Sequence, residues 1–157
     1  MYHESGTLVP TPPFDFNKSL QFLGVFGPTK NEQTVSTHSL TKAISIDGQT
    51  VVFQLTSIGT TEKPGLAYTL FSENPITKAM ENVVTERIAF FLSLKDDLQA
   101  FYLIGRNDHN FVPIIEQLYG YHQVKFLTPF ENACWAVLTQ RNPMKICLLY
   151  TSPSPRD

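Results

Sequence analysis

Few side chains in this sequence combine a reactive type with a spacing that could do chemistry. Asp96 and Asp97 are adjacent carboxylates, but they precede a helical run over residues 98–104. Acids at that position complement the helix dipole and cap its first turn, and this reading far outweighs a catalytic one. The two cysteines, Cys134 and Cys147, give neither a C-x-x-C pair for zinc nor a disulfide framework. No histidine stands at an informative spacing from either, and Cys134 lies in an apolar run where a small buried thiol is expected. Neither a metal nor a cofactor is expected.

Charge narrows the partners. The net charge is −2, whereas a nucleic-acid binder ordinarily shows a basic footprint. Any nucleic-acid role has to be weighed against that deficit. Hydrophobic residues make up 42% and charged residues 17%, enough apolar material for a core and too little charge for a disordered chain. At 157 residues the chain is one domain, or one domain and a piece of another. No run of about 18 apolar residues occurs, and Met1-Tyr2-His3-Glu4 opens no basic-then-apolar secretory signal. The expectation is a soluble, cytoplasmic or organellar protein.

The elements that must position any site follow from periodicity. Thr11-Pro-Pro-Phe-Asp15 is an extended entry stiffened by proline. Asp15 caps a short helix in which Phe16, Leu20, Leu23 and Phe26 recur at helical spacing, stopped near Gly27-Pro28. From Leu40 the period becomes two: one strand to Ile46, a turn at Asp47-Gly48, and a returning strand from Gln49 to Ile58. Residues 59–65 form a polar loop and Leu66–Phe71 a third strand. Asn74 as cap and Pro75 at the first helical position predict a long helix. Its stripe of Ile76, Met80, Val83, Val84, Ile88 and Phe91, broken by Arg87, packs on the sheet, while Lys78, Glu81 and Glu86 face water. Hairpin strands with a covering helix make an α+β layer.

After Ser93 the pattern turns to short helices. Leu98–Ile104 is one, ended by Gly105-Arg-Asn. Asp108 caps a second over Phe111–Leu118, with Pro113 in its first turn. Thr128-Pro129-Phe130-Glu131 is a capping box with proline at the first helical position. The helix it starts, Pro129–Leu138, is apolar nearly all round, as for a helix buried between other elements. Too few neighbours exist here to bury it, which points to truncation. Residues 147–157, Cys-Leu-Leu-Tyr-Thr-Ser-Pro-Ser-Pro-Arg-Asp, follow with a composition nothing upstream prepares. They resemble the in-frame translation of a sequencing-library adapter, and are expected to be an artefactual tail without functional content.

Three stretches carry a family resemblance: Pro13-Phe-Asp-Phe16 with Ser19-Leu-Gln-Phe-Leu23; Asp96–Tyr102 followed by Gly120-Tyr-His-Gln-Val124; and Leu127-Thr-Pro-Phe-Glu131 with Trp135-Ala-Val-Leu-Thr-Gln140-Arg141. Their order resembles the helix-hairpin-helix DNA glycosylases of the 3-methyladenine glycosylase II branch over about residues 8 to 146. The resemblance implies an antiparallel sheet with packed helices, similar to half of a TATA-binding protein, over residues 8–93. It implies the first helices of an all-helical glycosylase domain over residues 94–146. Such enzymes flip a damaged base into an aromatic-lined pocket and hydrolyse its N-glycosidic bond, since the anomeric carbon is out of reach inside the stack. An aspartate stabilises the oxocarbenium charge, and a Gly- and Lys-rich hairpin grips phosphates.

Those catalytic parts are expected beyond residue 146. The chain is thus expected to be an inactive N-terminal fragment of a base-excision enzyme that acts on damaged double-stranded DNA and is monomeric when complete. Its −2 charge would then reflect a missing phosphate-gripping half. Gln140, Arg141 and Asn142 match the family's DNA-facing loop: Gln140 to hydrogen-bond a base edge or phosphate, Arg141 to fill the gap in the stack or pair with a phosphate. Thr139 and Arg141 depart from the Gly and apolar wedge that many members carry, and the three residues also suit an ordinary polar helix end. Trp135 is expected in the core rather than as a base-stacking platform. The alternative is a non-catalytic α+β module that contacts DNA or protein.

Overall fold

Alternation of apolar and polar residues from Ser39 to Ser72 builds the centre of the fold. The computed structural model describes residues 1–29, 32–143 and 146–147. Its strands are β1 (Tyr2–Leu8), β2 (Gln33–Val35), β3 (Ser39–Ile46), β4 (Gln49–Ser57) and β5 (Leu66–Ser72). They pair antiparallel in the order β1-β5-β4-β3-β2. The helices are α1 (Phe16–Val25), α2 (Lys78–Phe91), α3 (Gln99–Gly105), α4 (Val112–Gln117) and α5 (Pro129–Leu138). This is the expected α+β class. None of the described helices is long and apolar enough to cross a membrane.

The β3–β4 hairpin turns at Asp47-Gly48, with φ 49 and 80, the positive angles that a tight turn needs. Register then aligns Leu40 with Leu55 and Tyr68, and Ile44 with Val51, on one face. That face buries Phe53, Leu55 and Leu70 completely, together with Leu20 and Leu23 of α1 and Val84, Ile88 and Phe91 of α2. Asp15 caps α1 as its sequence position predicts, its carboxylate accepting from the Asn17 N–H at 3.0 Å.

Two strands were not signalled by sequence. β1 and β2 form the edges of the sheet, and neither Tyr-His-Glu-Ser-Gly-Thr-Leu nor Gln-Thr-Val carries a clean alternation. The start of α2 is a correction. Asn74-Pro75 does not open the helix; Thr77 caps it, its Oγ1 accepting from Met80 N–H at 3.2 Å. Val83, placed on the buried stripe, is 41% exposed.

Glu81 is a second correction: it is buried rather than facing water. Its Oε1 accepts from the Tyr68 hydroxyl at 2.6 Å and its Oε2 from Lys78 Nζ at 2.8 Å. Gly6 lies opposite Tyr68, and a Cβ there would collide with the Tyr68 hydroxyl, so the missing side chain makes room for the ring. Burial, and then the Glu81 carboxylate, push the Tyr68 phenol up to about 12. Lys78 first, and then Tyr68, hold the Glu81 carboxyl below its ordinary 4.5.

A carboxyl with a depressed folded pKa gives stability that is complete above its unfolded value and is lost as pH falls through the folded one. Urea unfolding between about pH 7 and about pH 3 should therefore show the natural chain losing more stability than Glu81→Gln. Parallel losses in the two chains would show that this network contributes nothing.

Candidate nucleic-acid interface

The segment from Gly120 to Leu127 fixes where the last helix can lie. His122, 1% exposed, sets Nδ1 2.7 Å from the Ser93 carbonyl and Nε2 2.9 Å from the Pro13 carbonyl, so one ring bridges the chain entry and the end of α2. Lys125 N–H donates to the Phe91 carbonyl at 2.8 Å, and Val124 and Leu127 enter the core. Phe126 between them turns outward to Phe26 at 5.9 Å and to Trp135 at 6.2 Å, the latter nearly parallel at 9°.

α5 starts on the expected capping box: Glu131 N–H donates to Thr128 Oγ1, and Thr128 N–H to Glu131 Oε2, each at 3.1 Å. No residue of α5 is buried, and Phe130 and Val137 are 77% and 68% exposed, as expected of an apolar helix with too few neighbours in this chain to bury it. Cys134 is accordingly half-buried rather than buried. Trp135 is half-buried on Phe126, where packing, not an open stacking surface, accounts for it.

Past the helix, Thr139 Oγ1 donates to the Trp135 carbonyl at 2.7 Å, and Gln140 N–H and Asn142 N–H turn back to Val137 and Thr139. Arg141 takes a positive φ of 61, the left-handed conformation that ends helices and that a non-glycine residue adopts at a cost. Gln140, Arg141 and Asn142 therefore share one tight turn. All three are exposed, and their side chains make no hydrogen bond or ion pair with a described residue. An unpaired guanidinium flanked by two amides can bond phosphate oxygens or base edges. Cys147, assigned by sequence to the tail, is buried against this turn with its thiol donating to the Leu138 carbonyl at 2.9 Å. Residues 148–157 of that tail lie outside the described residues.

The acids are otherwise engaged. Asp97 accepts from Gln99 N–H at 2.9 Å, and Asp96 pairs with Lys125 at 3.4 Å. Asp108 does not cap α4 directly, but forms a turn with Asn110 N–H at 3.0 Å. Among the described residues no group of His, Cys, Asp and Glu could hold a metal ion.

No protein-family model and no curated protein matches the chain. Its structure is similar to a solved 3-methyladenine DNA-glycosylase from Archaeoglobus fulgidus, with a TM-score of 0.66 and 15% identity. The likeness is one of fold. It covers 90% of this chain and 46% of that one, so the chain spans about half the length of the enzyme it matches.

Because the capping box starts α5 and none of its residues is buried, Thr128→Ala should cost about 0.5–2 kcal/mol of helix stability. Trp135, the single tryptophan, reports it: its fluorescence should lose the Phe126 environment at lower denaturant in the variant. An unmoved transition would show that the helix is held by contacts other than its cap.

Proposed function

We propose that the chain is the N-terminal part of a base-excision DNA glycosylase that hydrolyses the N-glycosidic bond of damaged, alkylated bases in duplex DNA. The observation that carries this reading is the fold likeness to a 3-methyladenine DNA-glycosylase over 90% of the chain. The exposed, unpaired turn at Gln140, Arg141 and Asn142 fits the part that such an enzyme lays against DNA. In this reading the sheet domain runs from β1, earlier than the expected residue 8, to residue 93, and residues 94–146 open the helical domain. The catalytic aspartate and the phosphate-gripping hairpin lie further along the full protein, and residues 147–157 are foreign to it. The parent works in the cytoplasm, on the nucleoid.

Arg141 and Gln140 then contribute binding rather than bond cleavage. Arg141 supplies positive charge to a phosphate or to the space vacated by the flipped base, and Gln140 an amide to a base edge. The −2 charge of the chain fits a division in which most phosphate contacts belong to the other half.

The purified 157-residue chain should release no free base from methylated duplex DNA, whereas the protein continued through the genomic frame past residue 146 should release it. Base release by the short chain, or a continued frame without a Gly/Lys-rich hairpin and a following aspartate, would overturn the proposal. In the continued protein, Arg141→Ala should weaken duplex binding by about 1 kcal/mol and flatten its salt dependence by about one counterion. Unchanged affinity would remove the turn from the interface.

A further inference from the structure

α2 ends in a left-handed residue, Ser93, with a φ of 53. Ser93 N–H donates to the Phe90 carbonyl at 3.1 Å and Leu94 N–H to the Ala89 carbonyl at 2.8 Å, the paired bonds of a Schellman close. The last turn of the helix carries no basic residue, so nothing of its own offsets the negative end of its dipole. Residues 122–125 take that place. Lys125 N–H donates to the Phe91 carbonyl at 2.8 Å, the Ser93 hydroxyl donates to the Gln123 carbonyl at 2.5 Å, and His122 Nδ1 lies 2.7 Å from the Ser93 carbonyl.

Both ring nitrogens of His122 face carbonyl oxygens, Nδ1 that of Ser93 and Nε2 that of Pro13 at 2.9 Å. A carbonyl only accepts. A neutral imidazole has one N–H, so its other nitrogen would set a lone pair against an oxygen lone pair at hydrogen-bond distance. The imidazolium donates to both. Burial to 1% exposure opposes a charged ring, but two charge-assisted bonds and the C-terminus of α2 favour it. We infer that the folded chain holds His122 as an imidazolium, a proton-operated clasp that ties the entry segment and residues 120–127 to the end of α2.

The charged groups on the surrounding elements are engaged elsewhere. In the entry segment Asp15 accepts from Asn17 N–H, and on α1 Lys18 Nζ donates to the Tyr119 carbonyl at 2.7 Å. Past α2, Lys95 is exposed and Asp96 pairs with Lys125. Glu62, in the loop before β5, accepts from the Tyr119 hydroxyl at 2.8 Å, and the Tyr102 hydroxyl of α3 accepts from Gly120 N–H at 3.0 Å. Burial pushes the Tyr121 phenol up and keeps it neutral. Among the described residues none of these groups bonds the ring. Its charge therefore answers to two carbonyls and a helix end. When the second proton leaves, one contact has no hydrogen to donate and opens. The stability it supplies is full while the ring is charged and is lost as pH rises through its titration.

Long-range nitrogen–proton spectra of the 157-residue chain, taken at about pH 7.5 where an exposed imidazole is mostly neutral, should show both His122 nitrogens protonated and both protons slow to exchange. His3, His38 and His109 are exposed and should be neutral there. A neutral His122 at that pH would overturn the inference. Between about pH 6 and about pH 8.5 the urea midpoint of the natural chain should fall. His122→Gln should start lower and stay flat. Glu81, held low by Lys78, remains ionised over this range. A natural chain with a constant midpoint, or a variant that falls in parallel, would equally overturn it. If His122→Gln does not fold, the nitrogen spectrum of the natural chain decides by itself.

Discussion

The path of the chain from Gly120 to Leu127 is braced by one buried imidazole. His122 contacts the carbonyls of Pro13 and Ser93, two points that the chain reaches between β1 and α1 and just after α2. A neutral ring has one N–H to give and a protonated ring two, so at least one of these contacts is a donated hydrogen bond. Phe14 adds an edge-on ring contact to the imidazole at 5.1 Å. The brace holds residues 120–127 against the entry segment, where Asp15 N–H donates to the Gly120 carbonyl at 2.7 Å. Phe126 is thereby aimed at Phe26 and Trp135, and Trp135 sets the roll of α5. The exposed turn at Gln140 to Asn142 inherits its position through that series of contacts.

Legibility of the fold followed how local each cause is. The hairpin was readable because Asp47-Gly48 and the alternation on either side of it are one contiguous signal. The capping box at Thr128 was readable for the same reason. β1 was not, because its strand character comes from pairing with β5, 64 residues away at Ser5 and Thr69, and not from its own pattern. The start of α2 is ambiguous in sequence because two cap signatures compete within four residues. Asn74 spends its N–H on the Ser72 hydroxyl at 3.4 Å, while Thr77 both caps with its side chain and accepts Glu81 N–H on its carbonyl. The burial of Glu81 has no local sign in sequence, because the void left by Gly6 and the phenol that fills it lie on strands remote from it in the chain.

The same rule divides the candidate site. Gln140 to Asn142 could be located from sequence because they follow a well-marked helix. The aromatic series that supports them could not, since Phe22, Phe26, Phe126 and Trp135 come from three separate stretches and share no period. His122 likewise gave no local sign of its role. A histidine amid Gly120-Tyr-His-Gln is as compatible with the surface as with a core, and only tertiary structure supplies two carbonyls to meet it.

Charge and apolar surface are distributed unequally over the molecule. Of the ion pairs among the described residues, Lys42 with Glu32 and Lys78 with Glu81 each bury one partner, and Lys125 with Asp96 is partly exposed on both sides. The sheet face away from the helices has no Asp, Glu, Lys or Arg among its described residues and is rich in Ser and Thr. The α3–α5 side is strongly apolar, with Phe101, Ile104, Leu118, Phe130 and Val137 all at least 45% exposed. These two surfaces differ in what they can recognise. Hydroxyls and amides in fixed register select a partner by hydrogen-bond pattern, whereas exposed leucine, isoleucine and phenylalanine select only by shape and dryness. α5 belongs to the second kind of surface at its start and ends in the polar turn of Gln140, Arg141 and Asn142. A partner that covers the apolar side would therefore also fix the orientation of that turn, because the helix that carries it is held here by its cap, the stack of Trp135 on Phe126 and the Cys147 contact at Leu138, with no buried residue of its own.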